Sequence, residues 1–150
     1  SGGWPLKLHK TVTVPQERGE FHVTYRLRWS GAAPLHARWG VQWNLAMTAG
    51  DAPGRFYDLP DTPSLGSRGE ARELDCIGLV DEWAGCSARL VWERTCQAAW
   101  APVETVSLSE GGFERIYQGS SLLLLWPLTL SSGGEWEERV TFTVSHSHGS

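Results

Sequence analysis

The sequence predicts an all-β fold, a single-domain antiparallel β-sandwich. Three observations favour this class: segments of alternating apolar and polar residues recur along the chain, clusters of Gly, Pro and Ser separate them, and no segment has the 3.6-residue spacing of an amphipathic helix. Eight to ten strands spaced in this way are typical of a sandwich or a barrel. The 150 residues fit one domain, which we assign to residues 6–145, with residues 1–5 and 146–150 as tag or frayed termini.

The first half of the chain supplies the clearest strands. Residues 6–14 alternate, and residues 20–29 follow with apolar side chains on one face and polar side chains on the other. Residues 38–48 alternate around two tryptophans, and their second face is mostly small or uncharged. A Pro- and Gly-rich segment follows at residues 49–69, with a short strand expected at residues 55–58. Long loops of this kind are usually functional or disordered.

The second half is predicted to begin with a β-hairpin between residues 73–83 and 86–93. An Ala-Gly dipeptide between them suits a two-residue turn, which would set Asp81 opposite Ala88. Asp81 then falls on the apolar face of the hairpin. A carboxylate in that position needs a partner or a place at the rim.

Beyond the hairpin the pattern is less regular. We predict a crossing segment at residues 95–102, followed by short strands at residues 103–107 and 113–118 around a Ser-Glu-Gly-Gly turn. An apolar strand is predicted at residues 120–130, with an edge, bulge or break at Pro127. A final strand is predicted at residues 135–145. Residues 103–119 therefore gather acidic, basic and aromatic side chains around one turn, beside a core strand. That combination favours a binding surface.

Composition excludes several classes of function. A net charge of −4 argues against a nucleic-acid partner, because phosphate contacts need a basic patch. No apolar run approaches the ~20 residues of a membrane-spanning helix, so no membrane partner is expected. Cys76, Cys86 and Cys96 are an odd number without a CxxC motif, which predicts reduced thiols and a reducing, cytoplasmic location. No cofactor or metal is expected.

Three segments together resemble one family: WGVQWNLAMTAGDAPGRFYDL (residues 39–59), LVDEWAG (residues 79–85) and WAPVETVSLSEGGFERIYQG (residues 100–119). They are similar to the C-terminal β-domain of α-amylase and 4-α-glucanotransferase enzymes of glycoside hydrolase family 57, and the similarity covers most of residues 6–144. The resemblance implies a β-supersandwich of the galactose mutarotase-like type. It also implies an accessory domain whose partner is an N-terminal catalytic barrel. Gln42 departs from the family pattern, which has an acidic residue there.

A first hypothesis is a non-catalytic carbohydrate-binding domain whose partner is an α-glucan or a related oligo- or polysaccharide. Nine tryptophans support it, because sugar recognition uses aromatic platforms together with planar polar groups that bind pairs of hydroxyls. The candidate platform is Trp100, Tyr117 and Tyr57, and the candidate hydroxyl-binding residues are Asn44, Asp81, Glu104, Glu110, Arg115 and Gln118. A structural explanation is also open, in which Trp100 closes the end of the sandwich and Arg115 pairs with a neighbouring glutamate.

A second hypothesis is a structural domain that docks on the catalytic barrel, shapes its cleft and binds no free sugar. Interfaces also favour Trp, Tyr and Arg, so composition does not separate it from the first. Catalysis by the isolated chain is not favoured, because Glu104, Glu110 and Glu114 are not a recognisable acid/base pair and no histidine lies in a motif. Exposed, coplanar rings near Trp100 would favour sugar binding, and buried rings would favour docking.

Overall fold

A computed structural model describes residues 5–16, 19–109 and 112–146 of the protein. These residues form an antiparallel all-β domain without helices, as the sequence predicts. Residues 1–4 and 147–150, most of the predicted termini, lie outside the described residues. None of the described segments is a helix long and apolar enough to cross a membrane. The strands are β1 (Leu6–Thr13), β2 (Glu20–Trp29), β3 (Leu35–Leu45), β4 (Arg55–Asp58), β5 (Gly69–Asp81), β6 (Cys86–Ser109), β7 (Gly112–Leu130) and β8 (Glu135–His146).

The strands build two layers that share β6. The first layer has the order β1-β2-β8-β6-β5-β4. The second layer consists of β3, β7 and the second half of β6. Residues 86–92 of β6 pair with β8, whereas residues 97–109 pair with β7, so this long strand leaves the first layer and joins the second.

An aromatic core joins the two layers. Trp126 of β7 is fully buried at its centre, with ring centroids 6.4 Å from Trp92 of β6 and 5.8 Å from Trp136 of β8. Its indole Nε1 donates a hydrogen bond of 2.9 Å to the carbonyl oxygen of Arg94. Edge-to-face ring pairs of this kind add to the energy of burial. The predicted alternation of strands β2, β3 and β8 therefore corresponds to a core face.

Glu138 of β8 lies fully buried where β6 changes partner. Its carboxylate accepts hydrogen bonds from the backbone N–H groups of Glu93 (2.9 Å), Arg94 (3.3 Å) and Arg139 (3.2 Å). The guanidinium of Arg94 lies 3.4 Å from the same carboxylate. Residues 93 and 94 follow the last pair with β8, at Trp92, and precede the first pair with β7, at Gln97. The carboxylate thus supplies acceptors at a point where β6 has no pairing with β7 or β8.

One predicted segment is wrong, and Pro127 fits one of the three alternatives predicted for it. The predicted crossing segment, residues 95–102, is part of β6, and Pro127 lies at an edge position without breaking β7. Pro102 lies beyond Trp100, the last residue of β6 that pairs with β5, and Pro127 lies beyond Leu125, the last residue of β7 that pairs with β6. Each proline therefore lies where its strand has a neighbour on one side, which is the edge position that a residue without an N–H tolerates.

The register of the predicted hairpin is wrong by two residues. Asp81 of β5 pairs with Cys86 rather than with Ala88, so the turn has four residues rather than two. The carboxylate of Asp81 accepts a 2.9 Å hydrogen bond from the N–H of Ala84 within the turn. Gly85 follows with a φ of +59°, a conformation that glycine adopts at little cost. A shift of two residues keeps every side chain on its predicted face.

The three cysteines are free thiols. Cys96 is buried in the core, and burial raises the pKa of its thiol to about 11. Cys76 and Cys86 are partly exposed, in β5 and at the start of β6.

Candidate functional site

The predicted platform residues come together, but as a packed cluster. Tyr57 of β4 is fully buried, and Trp100 and Tyr117 are partly buried. The rings of Tyr57 and Trp100 lie 5.5 Å apart with an angle of 46° between their planes. Burial raises the pKa of Tyr57 to about 12 and also raises that of Tyr117, whose hydroxyl lies 2.8 Å from Ser120 Oγ. These rings do not form an exposed, coplanar row.

The Pro- and Gly-rich loop covers this cluster. A Cβ atom on Gly50 would lie 2.7 Å from the ring of Tyr117, and a Cβ on Gly69 would lie 2.4 Å from the ring of Trp100. Both distances are too short for any side chain, so glycine lets the backbone approach the rings, in the loop at Gly50 and in the first residue of β5 at Gly69. Trp100 Nε1 also donates a 3.3 Å hydrogen bond to Ser67 Oγ in the loop. The predicted functional loop therefore packs on the aromatic residues.

Two of the predicted charged residues pair with each other. Glu104 Oε2 lies 3.6 Å from Arg115 Nη1 and 3.6 Å from Arg68 Nη2. The arginines are exposed and the glutamate is partly buried, so the interaction is a surface ion pair. This is the pairing that the structural explanation expects. Glu110, the remaining acidic residue predicted for this region, lies outside the described residues.

Asn44 and Gln118 line one shallow depression on the outside of the second layer. Gln42 Nε2 donates a 3.2 Å hydrogen bond to the Asn44 side-chain oxygen, and Gln118 Nε2 donates one of 3.2 Å to Thr105 Oγ1. The depression is separated from the ring cluster, because Tyr57 and Trp100 face the core. The structure thus brings the two predicted amides together without an aromatic platform beside them.

Asp81 lies away from these residues, at the β5–β6 turn, and is fully buried. It accepts hydrogen bonds from the Thr48 hydroxyl, from Arg55 Nε (3.0 Å) and from the N–H of Ala84 (2.9 Å). Burial by itself raises the pKa of Asp81, but these hydrogen bonds and the charge of Arg55 outweigh it and hold the pKa below its usual value. Asp81 has the partner that its place on the apolar face requires, and both of its oxygens are engaged within the protein.

Two of the glutamates considered for catalysis from the sequence have different surroundings. Glu104 is tied to two arginines, and Glu114 lies exposed on β7. Within the described part of the chain, no group of three or more His, Cys, Asp or Glu side chains is placed to hold a metal ion. Asp58, near the Pro-rich loop, lies 3.5 Å from Arg89 Nη1.

The stretch that the sequence predicts as a binding surface, residues 103–119, forms a ribbon whose exposed apolar side chains sequence reasoning missed. We call this ribbon the arm, residues 103–109 of β6 and 112–118 of β7. These segments pair only with each other among the described strands, because the pairing of β5 with β6 reaches no further than Trp100, opposite Gly69, and β3 ends opposite Ser120. Leu108 and Phe113 face each other across the arm and are 77% and 83% exposed. The signal was present in the alternation of apolar residues along 104–108, but alternation alone does not tell whether a second layer covers the apolar face.

The apolar face of the arm continues the core-facing side of β6. Trp100, Val106 and Leu108 are an even number of residues apart and therefore point to one side of the strand. Trp100 packs against the core, whereas Val106 and Leu108 extend past the loop and the first layer into solvent. Two-stranded ribbons with exposed apolar side chains are marginally stable in water. This geometry is typical of an element that contacts another protein surface.

The outer faces of the two layers differ in the polarity of their side chains. The outer face of the first layer carries ion pairs across strands, such as Arg26 with Glu137 (2.6 Å) and Arg28 with Glu135 (3.8 Å). The outer face of the second layer carries a row of small and aliphatic side chains that continues to the base of the arm. We call this row the apolar outer face; its residues are Ala99, Ala101, Val103, Leu123 and Leu125. The first layer thus has a charged exterior, whereas the second combines this apolar row with uncharged polar side chains such as Gln42, Asn44 and Gln97.

The fold and these surfaces define an all-β sandwich domain with an uncovered apolar side. The chain matches the family described as "Alpha-amylase/4-alpha-glucanotransferase, C-terminal" over residues 1–140. The chain belongs to this family, the C-terminal domain of glycoside hydrolase family 57 amylases and glucanotransferases. The galactose mutarotase-like type stays a prediction.

Relatives agree with this assignment. The chain is 28% identical over 146 residues to alpha-amylase 1 of Dictyoglomus thermophilum, a match that covers 93% of the chain and 20% of that amylase. The structure of 4-alpha-glucanotransferase from Thermococcus litoralis superposes with a TM-score of 0.65 at 22% identity, over 92% of this chain and 18% of that one. The Slr1438 protein from Synechocystis sp. PCC 6803 superposes with a TM-score of 0.57 at 11% identity, over 96% of this chain and 57% of that one. Both structural likenesses concern the fold. The chain thus spans about a fifth of the length of the amylase that it matches.

Proposed function

We propose that this chain is a non-catalytic accessory domain that docks on the remainder of an amylase- or glucanotransferase-type enzyme and shapes that enzyme without binding free sugar. The arm carries this proposal, because Leu108 and Phe113 expose most of their apolar surface on a two-stranded ribbon. Large exposed apolar side chains beside polar ones are typical of a surface that contacts another protein.

The position of the docking surface follows from the contrast between the two outer faces. A charged exterior such as Arg26 and Glu137 suits water, whereas the apolar outer face and the arm suit a dry interface. Glu104, Arg115 and Arg68 lie at the base of the arm and are suited to the polar rim of such an interface. The remainder of the enzyme is the partner that the family membership supports, since the chain covers 20% of the matched amylase.

The carbohydrate-binding hypothesis predicts a different outcome. It needs ring faces that a sugar can reach, and Tyr57 is fully buried while the loop packs on Trp100 and Tyr117. Asn44 and Gln118 lie at a depression without a neighbouring platform. These observations favour docking over sugar binding.

Calorimetric titration of the isolated domain with maltoheptaose and with soluble starch separates the two hypotheses. We expect no saturable heat at millimolar sugar, because the stacking surfaces are occupied by protein. Titration with cellohexaose is the matched control for nonspecific effects of sugar. Saturable binding of an α-glucan that Asn44→Ala or Gln118→Ala abolished would contradict the proposal and would identify a carbohydrate-binding domain.

Substitution of the arm tests docking directly. The double change of Leu108 and Phe113 to Lys should alter the free energy of unfolding of the isolated domain by no more than about 0.5 kcal/mol, because both side chains are exposed. In the full-length enzyme the same change should raise hydrogen exchange across the arm and increase its cleavage by protease. Ser107→Lys, on the opposite face of the arm, is the control. Equal effects of the two changes in the full-length enzyme would count against the arm as an interface.

A further inference from the structure

We propose that a strand from the rest of the enzyme polypeptide adds to the free edge of β3 and covers the inward face of β1. This inference rests on the proposed function, since it takes the chain to be one domain of a longer enzyme. It concerns a surface on the other side of the sandwich from β4 and β5, separate from the arm and the apolar outer face.

The first observation is that the core-facing side of β1 is uncovered. Leu8 pairs with Leu27 of β2, and Val12 pairs with Val23, so the members of each pair point to the same face of the sheet. Leu27 and Val23 are 0% and 3% exposed, whereas Leu8 and Val12 are 48% and 56% exposed. The face of the sheet that is buried in β2 is therefore exposed in the neighbouring strand β1.

The cause lies in the second layer, which stops above β2. Tyr25 of β2 contacts Trp39 of β3 at 6.3 Å between ring centroids, and Phe21 contacts Trp43 at 5.9 Å. β3 thus lies above β2, and no described strand lies above β1. We call the uncovered row the β1 ledge; its residues are Leu8, Lys10, Val12 and Val14.

The second observation is the free edge of β3. This strand pairs with β7 on one side and with no described strand on the other, so alternate residues of the 11 in Leu35–Leu45 present unpaired backbone N–H and C=O groups. Neighbouring strands in a sheet lie about 4.8 Å apart. β1 lies one such step beyond β2, so a strand added one step beyond β3 would lie above the β1 ledge. One extended segment would pair the edge and cover the apolar row together.

A third observation comes from the same strand. The indole N–H groups of Trp39 and Trp43 are buried and have no hydrogen-bond partner among the described residues. Buried donors in folded proteins normally have an acceptor. An added strand would bring backbone carbonyl oxygens to this side of the sandwich. The unpaired donors, the free edge and the uncovered ledge therefore converge on one missing element.

These features define the chemistry of the added strand. It should carry apolar side chains at alternate positions above Leu8 and Val12, and an acidic or amide side chain where it meets Lys10. The ammonium of Lys10 lies 5.9 Å from the centroid of the Tyr25 ring, at the border of the covered core. The matched amylase has about four-fifths of its length outside the part that this chain covers, which is ample for such a segment. We therefore assign the strand to the same polypeptide rather than to a second copy of the domain.

Hydrogen exchange followed by mass spectrometry, on the isolated domain and on the full-length enzyme, tests this assignment. We expect the outward-facing amides of β3 to exchange at least tenfold more slowly in the full-length enzyme, because they gain backbone acceptors. Amides of β8, which is paired on both sides in the isolated domain, serve as the internal control. Equal exchange of the β3 amides in the two proteins would overturn the inference.

Paired substitutions on β1 make the test specific. Val12→Glu alters the ledge, and Thr11→Glu places the same charge on the opposite face of the same strand, where the residue is also exposed. In the full-length enzyme, Val12→Glu should remove the protection of β3 and Thr11→Glu should preserve it. Protection of the arm without protection of β3 in the full-length enzyme would uphold the proposed function and overturn this inference, and protection at neither surface would overturn both. An isolated domain that forms a dimer with protected β3 amides would overturn the choice of occupant.

Discussion

Glu138→Ala is expected to lower the free energy of unfolding by about 3 kcal/mol, because it removes a fully buried carboxylate that accepts several partly buried hydrogen bonds at once. The backbone N–H groups of Glu93 and Arg94 would lose their carboxylate partner at the point where β6 passes between layers. The guanidinium of Arg94 would lose its counter-charge. A cavity beside the tryptophan core would add to the cost. Urea unfolding at neutral pH, followed by tryptophan fluorescence, measures the change.

Two further variants identify the cause of that loss. Glu138→Gln keeps the shape and one acceptor oxygen but turns an NH₂ group toward backbone donors, so an intermediate loss is expected. Glu137→Ala is the matched control, since the neighbouring carboxylate is exposed and forms a surface ion pair with Arg26. Its loss should stay below about 1 kcal/mol. If Glu138→Ala cost no more than Glu137→Ala, the carboxylate would not be holding the crossover of β6.

Asp81→Ala is expected to cost about 3 kcal/mol, since it leaves a largely buried guanidinium and two further donors without their acceptor. The donors are Arg55 Nε, the Thr48 hydroxyl and the N–H of Ala84. The same change should loosen the β5–β6 turn, which would appear as faster hydrogen exchange there. Asp58→Ala is the control, because that aspartate forms an exposed ion pair with Arg89. Equal midpoints of urea unfolding for Asp81→Ala and Asp58→Ala would refute this role.

The lowered pKa of Asp81 also predicts a dependence of stability on pH. A carboxyl whose pKa is lower in the folded protein than its usual value of 3.8 stabilises the fold fully above that value. The contribution is lost as the pH falls through the folded pKa, because the unfolded chain then binds the proton more readily. Asp81→Asn should therefore flatten the decline of the urea midpoint between about pH 5 and pH 2. A wild-type decline that Asp81→Asn leaves unchanged would assign the acid sensitivity to other carboxylates.

Much of the fold was predictable because alternation reports burial on one face of a strand. Residues 20–29 were predicted without error, since each apolar side chain from Phe21 onward meets the second layer. The continuity of β6 was not predictable, because Pro102 and the alanines before it have low strand propensity. They are held in a strand by pairing with β7, which is a tertiary effect. Propensity within a short window does not contain that information.

The sequence was enough to predict which aromatic residues come together in the candidate site, but not whether their rings are exposed. Tyr57, Trp100 and Tyr117 are distant in sequence yet contact the same core. Whether their ring faces stay open depends on the close approach of Gly50 in the loop and of Gly69 at the start of β5, which are visible in the sequence only as flexible residues. The exposed apolar side chains of the arm were missed for the opposite reason. Its alternation looks like that of a core strand, and the lack of an opposing layer appears only in three dimensions.

The place of β8 in the first layer has a consequence for the order of folding. β8 follows every other described strand in the sequence, yet it lies between β2 and β6, with Val23 opposite Val140 and Leu90 opposite Phe142. During synthesis, the edges of β2 and β6 that pair with β8 therefore stay unpaired until β8 has left the ribosome. Long-range closure of this kind slows folding and exposes edges to association. The first layer should therefore close only after residues 135–146 have been synthesised, and a truncation before residue 135 would leave two half-sheets rather than a shorter sandwich.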